Sequence, residues 1–359
     1  MNKPILTMIP GPTPVHEQVL EALAQPTVSH QFPAFVESYR HTLEQWRSIA
    51  RSDTGHPFIV SGSGTFAMEM ALVNLVQPGQ RILVVSHGYF GDRWEALAHA
   101  FGVECDLLRA EWGHVISAEQ LGQQLAQHDY AAVTVTHVDT STGAAAPIDE
   151  YRALLQGHAA YWILDGVCAT GGVDERFDEW GVDVLVTGAQ KAFGAPPGVA
   201  ILMASPRAME RRRSLESIPA YNADWLRWEP VMENPAVYFS TPPVNEIFAL
   251  EAAFTRLLDE GLDPRFARHK QLAATFRAGL DQLGLKLFTA ENCRADTLSV
   301  VLYPEGTDDG AFRGAMMEQG VVVAAALGPV AGKAFRVGHM GAIGEAELTR
   351  TLEAIKQAL

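Results

Sequence analysis

The chain has 359 residues, a mass of 39.0 kDa, 48% hydrophobic residues and a formal net charge of −15. That length predicts two or three domains, or one large domain with an appendage, and the apolar content excludes wholesale disorder. A chain this acidic, with no basic run longer than Arg211-Arg212-Arg213, repels phosphates over most of its surface, so nucleic acid is not an expected partner.

The opening MNKPILTMIPGPTP lacks the long apolar stretch of a signal peptide, and the first 50 or so residues are too few to fold alone. They are expected to pack on later parts. PFIV (57–60) reads as a strand, followed by the glycine-rich turn Ser61-Gly62-Ser63-Gly64-Thr65. Thr65 to Val76 then places Phe66, Met70 and Val73 near helical spacing. RILVVS (81–86), VECDLL (103–108), AAVTVTHV (131–138), YWILD (161–165), DVLVTG (183–188) and VAILMA (199–204) are further strands. Helices are predicted over 92–101, 117–127 and 148–157. Continuous apolar strands alternating with helices indicate an α/β fold around a mostly parallel sheet buried on both faces. Residues 206–243 carry five prolines after Pro206 and read as a long, loop-rich connection, of the kind that is usually functional. Helices over 244–260 and 264–283, a strand over 297–303, a helix over 308–319, short strands over 321–325 and 334–338 and a last helix over 345–358 form a smaller α+β unit.

No apolar run approaches the ~20 residues of a membrane-spanning helix, so no membrane association is expected. Cys105, Cys168 and Cys293 are too scattered for a disulfide framework and fit a reducing, cytoplasmic setting. The twelve histidines form none of the common metal-binding spacings, so no metal is expected.

In an open α/β sheet, ligands bind beyond the carboxyl ends of the strands. Three features fall there. The glycine-rich turn opens a helix, so free N–H groups, the positive dipole end and the Ser63 and Thr65 hydroxyls suit a phosphate. Gly62, Gly64 and Ala67 match a dinucleotide-binding spacing, but the next strand ends Ser86-His87 with no carboxylate for a ribose. A tight turn using glycine for backbone reasons alone is the alternative. Asp165 follows four apolar strand residues and must find a partner if buried; by itself it could equally cap a helix. Lys191, in TGAQKAFGAPPG, lies among small and apolar residues where an amine sheds its charge more easily than in water. Taken alone it could be a solvated loop lysine. Together a phosphate cradle, an amine and a carboxylate describe pyridoxal phosphate: an aldehyde for Lys191 and a ring nitrogen for Asp165.

At these residues the chain resembles the class V aminotransferases of pyridoxal-phosphate fold type I, and among them the alanine–glyoxylate and serine–pyruvate aminotransferase family. The resemblance runs through PGPTPV, VSGSGTFAMEMALVNLVQPGQ, HGYFGDR (87–93), THVDTSTG (136–143), LDGVCATGG (164–172), TGAQKAFGAPPG (187–198), YFSTPPVNEI (238–247) and FRVGHMG (335–341). It implies an N-terminal segment over 1–20 packing at the active site, a large cofactor domain over 21–255 and a small domain over 256–359. It implies that Lys191 joins the cofactor aldehyde as a Schiff base and moves the proton, and that Asp165 pairs with the ring nitrogen. Ser63, Gly64, Thr65 and Gln190 would hold the phosphate, Phe90 would stack on the ring, and Thr140 and Val167 would touch its edges. Tyr238 and Thr241 would reach the phosphate of a neighbouring subunit, making a homodimer with shared sites. Gly11 and Arg336 would meet the substrate, Arg336 by a bidentate pair with its carboxylate. The implied reaction moves an amino group from alanine or serine to glyoxylate or pyruvate by a ping-pong cycle. Three positions depart from the family pattern: Phe90 stands where Trp is frequent, Thr65 where some members have His, and Ala189 where Ser often precedes Gln-Lys.

Alternatives stay open. Cys293 beside Arg294 would suit a cysteine desulfurase, and FSTPPVNEI with RVGHMG is similar to the pyridoxamine–pyruvate branch. A nucleotide-binding oxidoreductase of Rossmann type lies outside the class. His339 is a candidate substrate contact or a structural turn residue, and Cys168 reads as a small core residue.

Overall fold

A computed structural model describes residues 5–359; residues 1–4 of the expected N-terminal segment lie outside the described residues. The central sheet has seven strands in the spatial order His56–Ser61, Val199–Ala204, Val184–Gly188, Tyr161–Asp165, Ala132–Thr136, Arg81–Ser86, Glu104–Arg109. Val199–Ala204 runs antiparallel to both neighbours, and every other neighbouring pair is parallel. All five residues are buried in Ala132–Thr136 and in Val184–Gly188, which is why these runs carry no charged side chain: both faces of the sheet are covered. The predicted 131–138 strand ends at Thr136. Val138–Asp139 instead turns back to pair with Ala144–Ala145, which carries Thr140 to the carboxyl edge of the sheet.

The N-terminal residues pack on later parts. Pro33–Ala50 forms a helix with proline in its first turn, lying against the helix Val244–Glu260. Its buried Trp46 indole N–H donates to the Leu202 carbonyl at 2.8 Å, and its Tyr39 hydroxyl donates to the Ile59 carbonyl. Leu6–Thr7 pairs in parallel with Val321–Val322, so the first described strand joins the C-terminal unit before the chain crosses to the large sheet.

The connection over 206–243 is not simply a loop. It contains the helices Pro206–Ser214 and Trp225–Glu233. Ser205 and Asp224 cap them by accepting from the Ala208 and Leu226 N–H groups, and Trp225 and Trp228 are buried beneath the second. Prolines read as breakers here sit at a helix start (Pro206) or within a turn that the buried tryptophans hold (Pro230).

The C-terminal unit sets a three-stranded antiparallel sheet, Leu298–Leu302, Ala334–Gly338 and Ala324–Ala325, against the helices Leu262–Gln282, Asp309–Glu318 and Glu345–Ala358. Leu262–Gln282 starts two residues before Pro264, which its first turn tolerates. The predicted 321–325 strand breaks into Val321–Val322 and Ala324–Ala325. One apolar core spans Val19 to Leu257, and a second gathers Met8, Phe276, Leu280, Phe312 and Phe335. A third, smaller cluster joins Cys168, Ala169 and Ala192 to Leu298, Val300 and Met340, close to the functional cavity. Among the described residues no helix is long and apolar enough to cross a membrane.

Candidate active site

The carboxyl edge of the sheet brings together Ser61, Ser86, Thr136, Asp165 and Gly188 as strand ends. A cavity of about 280 Å³ opens beyond them. Gly11, Ser63, Gly64, Thr65, Phe90 and Thr140 line it, together with Asp165, Val167, Gln190 and Lys191. These are ten of the thirteen residues singled out in the sequence.

Ser63 caps the helix Gly64–Leu75, its hydroxyl accepting from the Phe66 N–H at 3.4 Å. The N–H groups ahead of that point have no intrahelical acceptor, and they belong to residues that line the cavity. Gly64 allows a close approach: a Cβ there would stand 2.8 Å from Val167 Cγ2.

Lys191 follows the strand Val184–Gly188 and is 8% exposed. Burial lowers the pKa of its amine below the ordinary value, and the nearby Arg336 cation adds to this, while Asp165 and Asp139 oppose it. Its Nζ donates to the Pro10 carbonyl. The Thr13 hydroxyl donates to the Lys191 carbonyl at 2.8 Å, and the Thr13 N–H to the Gln190 carbonyl at 3.1 Å. The N-terminal segment is thus laced over the lysine.

Asp165 is 3% exposed, and its Oδ1 accepts from the Val167 N–H at 3.0 Å. Burial pushes its pKa up to about 7; the Val167 N–H works against the shift, and the charge of Asp139 adds to it. No lysine or arginine forms an ion pair with it among the described residues. Beside it on the neighbouring strand lies Thr136, whose Oγ1 is buried without a partner among the described residues.

Asp139 organises the opposite wall. Its Oδ2 accepts from the Phe90 and Gly91 N–H groups, both at 3.0 Å, and its Oδ1 from the Ser141 N–H at 2.8 Å and hydroxyl at 2.5 Å. This fully buried carboxylate therefore holds the loop that carries Phe90 against the one that carries Thr140.

Three expected residues stand elsewhere. Arg336 does not line the cavity. Its Nε donates to the Ala325 carbonyl at 2.8 Å and its Nη1 to the Thr140 carbonyl at 3.1 Å, placing it behind Thr140 at the rim. Tyr238 and Thr241 are exposed and lie 3.5 Å apart at their hydroxyls, away from the cavity of their own chain. His339 is fully buried between the Ser299 hydroxyl and the Asp296 carbonyl, and burial lowers its pKa to about 3, which makes it a structural residue. Cys293 is buried outside the cavity, and burial raises its thiol pKa, opposite to what a nucleophilic cysteine needs. Cys168 is buried as expected for a core residue, yet it also lines the cavity. The sequence reading missed Pro12, Met68, Arg93, Thr136, Val138 and Pro197. Arg93 alone carried a usable signal: it lies three residues after Phe90, one helical turn away.

The class-V aminotransferase family model matches residues 14–336. An uncharacterized aminotransferase of Methanocaldococcus jannaschii is 37% identical over 99% of this chain and 92% of its own. The L-aspartate–glyoxylate aminotransferase of Paracoccus denitrificans is 34% identical over 94% of this chain and 87% of its own. The crystal structure of an alanine–glyoxylate aminotransferase from Nostoc superposes with a TM-score of 0.95 at 30% identity, covering 100% of this chain and 96% of that one. The family implies pyridoxal 5′-phosphate as the cofactor. The chain belongs to the class-V aminotransferases.

Proposed function

We propose that the protein moves an amino group from a small amino acid, alanine or serine, to glyoxylate, with pyruvate as a second acceptor. The observation that carries this is the pairing of Lys191 and Asp165, both buried, as walls of one cavity whose mouth is the Ser63–Thr65 helix start. The activities of the Paracoccus and Nostoc relatives, which share glyoxylate, support the acceptor.

The residues fit the cofactor. Among the described residues Asp165 has no cation of its own and the Thr136 hydroxyl beside it lacks a partner, and the first N–H groups of Gly64–Leu75 have no acceptor in the helix. When bound, pyridoxal phosphate supplies an aldehyde carbon and a ring that accepts the electron pair left at the amino acid Cα. Burial eases deprotonation of the Lys191 amine, which would bind the aldehyde and, once released by the substrate amine, would take the Cα proton. Asp165 would hold a proton at the ring nitrogen; its own raised proton affinity suits it to share one. Ser63, Gly64, Thr65 and Gln190 would hold the phosphate, Phe90 would cover the ring, and Thr140 and Val167 would touch its edges. Arg336, tethered to the Thr140 and Ala325 carbonyls, keeps N–H donors for the substrate carboxylate. Gly11 leaves room for the substrate against Lys191.

The exposed pair Tyr238 and Thr241 supports a homodimer in which each chain reaches the neighbouring phosphate. The division into 1–20, 21–255 and 256–359 belongs to the same reading; the separate apolar cores support its boundary near 255. Glycine formed from glyoxylate, with alanine, serine or aspartate as donor, tests the activity. Lys191→Ala should lower turnover by at least about 10³-fold and leave the protein colourless when mixed with the cofactor. An active, yellow variant refutes the assignment.

A further inference from the structure

Arg93 lines the cavity and has no assigned task. It lies in the helix Tyr89–Ala100, one turn after Phe90. Its Nη1 donates to Thr65 Oγ1 at 2.8 Å. Its guanidinium carbon stands 4.9 Å from the centroid of the Phe90 ring and 5.6 Å from that of Tyr89. The group is held on several sides, yet among the described residues no carboxylate pairs with it. The contrast with its surroundings is sharp: Arg109, at the end of a neighbouring strand, pairs with Asp92. In a chain of net charge −15, a fixed and unneutralised cation in a cavity wall is a site prepared for an anion.

The contact with Thr65 indicates which anion. A threonine hydroxyl has one proton to donate and can accept on its lone pairs. Because Thr65 Oγ1 accepts from Arg93, its own proton is turned away from the guanidinium and is free for a ligand oxygen. Thr65 sits in the first turn of Gly64–Leu75, where the helix offers only a partial positive charge. A phosphate dianion needs more than that. Of the described residues lining the cavity only Arg93 and Lys191 are cationic types, and Lys191 is committed to the aldehyde.

We infer that Arg93 is a phosphate-binding residue: it orients the Thr65 hydroxyl and supplies the full positive charge that the cofactor phosphate meets in this chain. This rests on the proposed function, since it concerns the phosphate of the same cofactor. It also assigns work to Thr65 at a position where some members of the family have His.

The test compares two ligands that differ only in the phosphate. The full chain is titrated with pyridoxal phosphate and with pyridoxal, following tryptophan fluorescence, for the wild type, Arg93→Met and Arg93→Lys. Met keeps an unbranched apolar stem over Phe90 while removing the charge. Arg93→Met should weaken pyridoxal phosphate about 10- to 100-fold and change pyridoxal by less than about twofold. Arg93→Lys should recover part of the loss, and the salt dependence of pyridoxal phosphate binding should flatten in the Met variant. Equal weakening of both ligands would overturn the inference in favour of packing on Phe90. Unchanged pyridoxal phosphate binding would overturn it too, and a raised KM for aspartate in that case would make Arg93 a clamp for a dicarboxylic donor. A wild-type chain that binds neither ligand sinks the proposed function and this inference with it. A wild-type chain that binds pyridoxal phosphate no better than Arg93→Met does sinks this inference alone.

Discussion

Gly11 offers a test of how tightly the lysine is held. Its φ is +106°, a conformation that L side chains rarely adopt. A Cβ built there would stand 2.5 Å from Lys191 Cδ, 2.8 Å from Cε and 2.9 Å from Nζ. Ordinary carbon contacts lie near ~3.5–4.0 Å, so the outer half of the lysine must retreat by roughly 1 Å. It has little room, being buried and tied to the Pro10 carbonyl. Gly11→Ala should therefore cost about 1–3 kcal/mol in backbone strain, lowering the melting temperature by only a few degrees. A displacement of about 1 Å at a reacting atom costs on the order of 10²-fold in rate, so kcat should fall about 100-fold. Gly79→Ala is the control, since φ is +81° there but nothing lies within 4 Å of the added carbon. It should lose stability and keep kcat. Initial rates of glycine formation, with kcat and KM resolved, and thermal melts by circular dichroism measure both effects. A Gly11→Ala enzyme whose kcat stays within about twofold of wild type would refute the reasoning.

The raised pKa of Asp165 predicts a pH dependence in the cofactor-free chain. Unfolded, the carboxyl titrates near 3.8; folded, burial holds its proton up to about pH 7. Its contribution to stability is therefore fully present below about pH 4 and is lost as pH rises through 7, so the melting temperature of wild type relative to Asp165→Asn should fall across that window. A difference that does not vary with pH would show that Asp165 titrates normally. Arg336→Gln should raise KM for the amino acid about 10- to 100-fold with a smaller effect on kcat, read from steady-state kinetics with alanine. An unchanged KM would remove Arg336 from the substrate site.

Much of the architecture was legible because strands buried on both faces read as unbroken apolar runs. Residues 57–60, 81–86, 161–165, 183–188 and 199–204 stand within a residue or so of the observed strands. The residues that line the cavity were legible for a related reason. Ser63, Asp165 and Lys191 sit at strand ends or just beyond them, the edge where an α/β sheet receives ligands. The helices Pro206–Ser214 and Trp225–Glu233 were not legible, because prolines dominated the local signal while the stabilising burial of Trp225 and Trp228 is tertiary. The task of Asp139 was equally hidden: its four donors come from Phe90, Gly91 and Ser141, and the first two lie nearly 50 residues away.

By itself the amino-acid order determined the alternating strands and helices, the glycine-bearing turn, and the presence of an amine and a carboxylate at neighbouring strand ends. These depend on local periodicity and on residues close in sequence. Folding decided the rest: that Pro10 and Gly11 close over Lys191, that Arg336 stands at the rim rather than in the wall, and that Arg93 reaches Thr65. Each of these contacts joins segments far apart in the chain, and only the packing of the helices and sheet sets the distances between them.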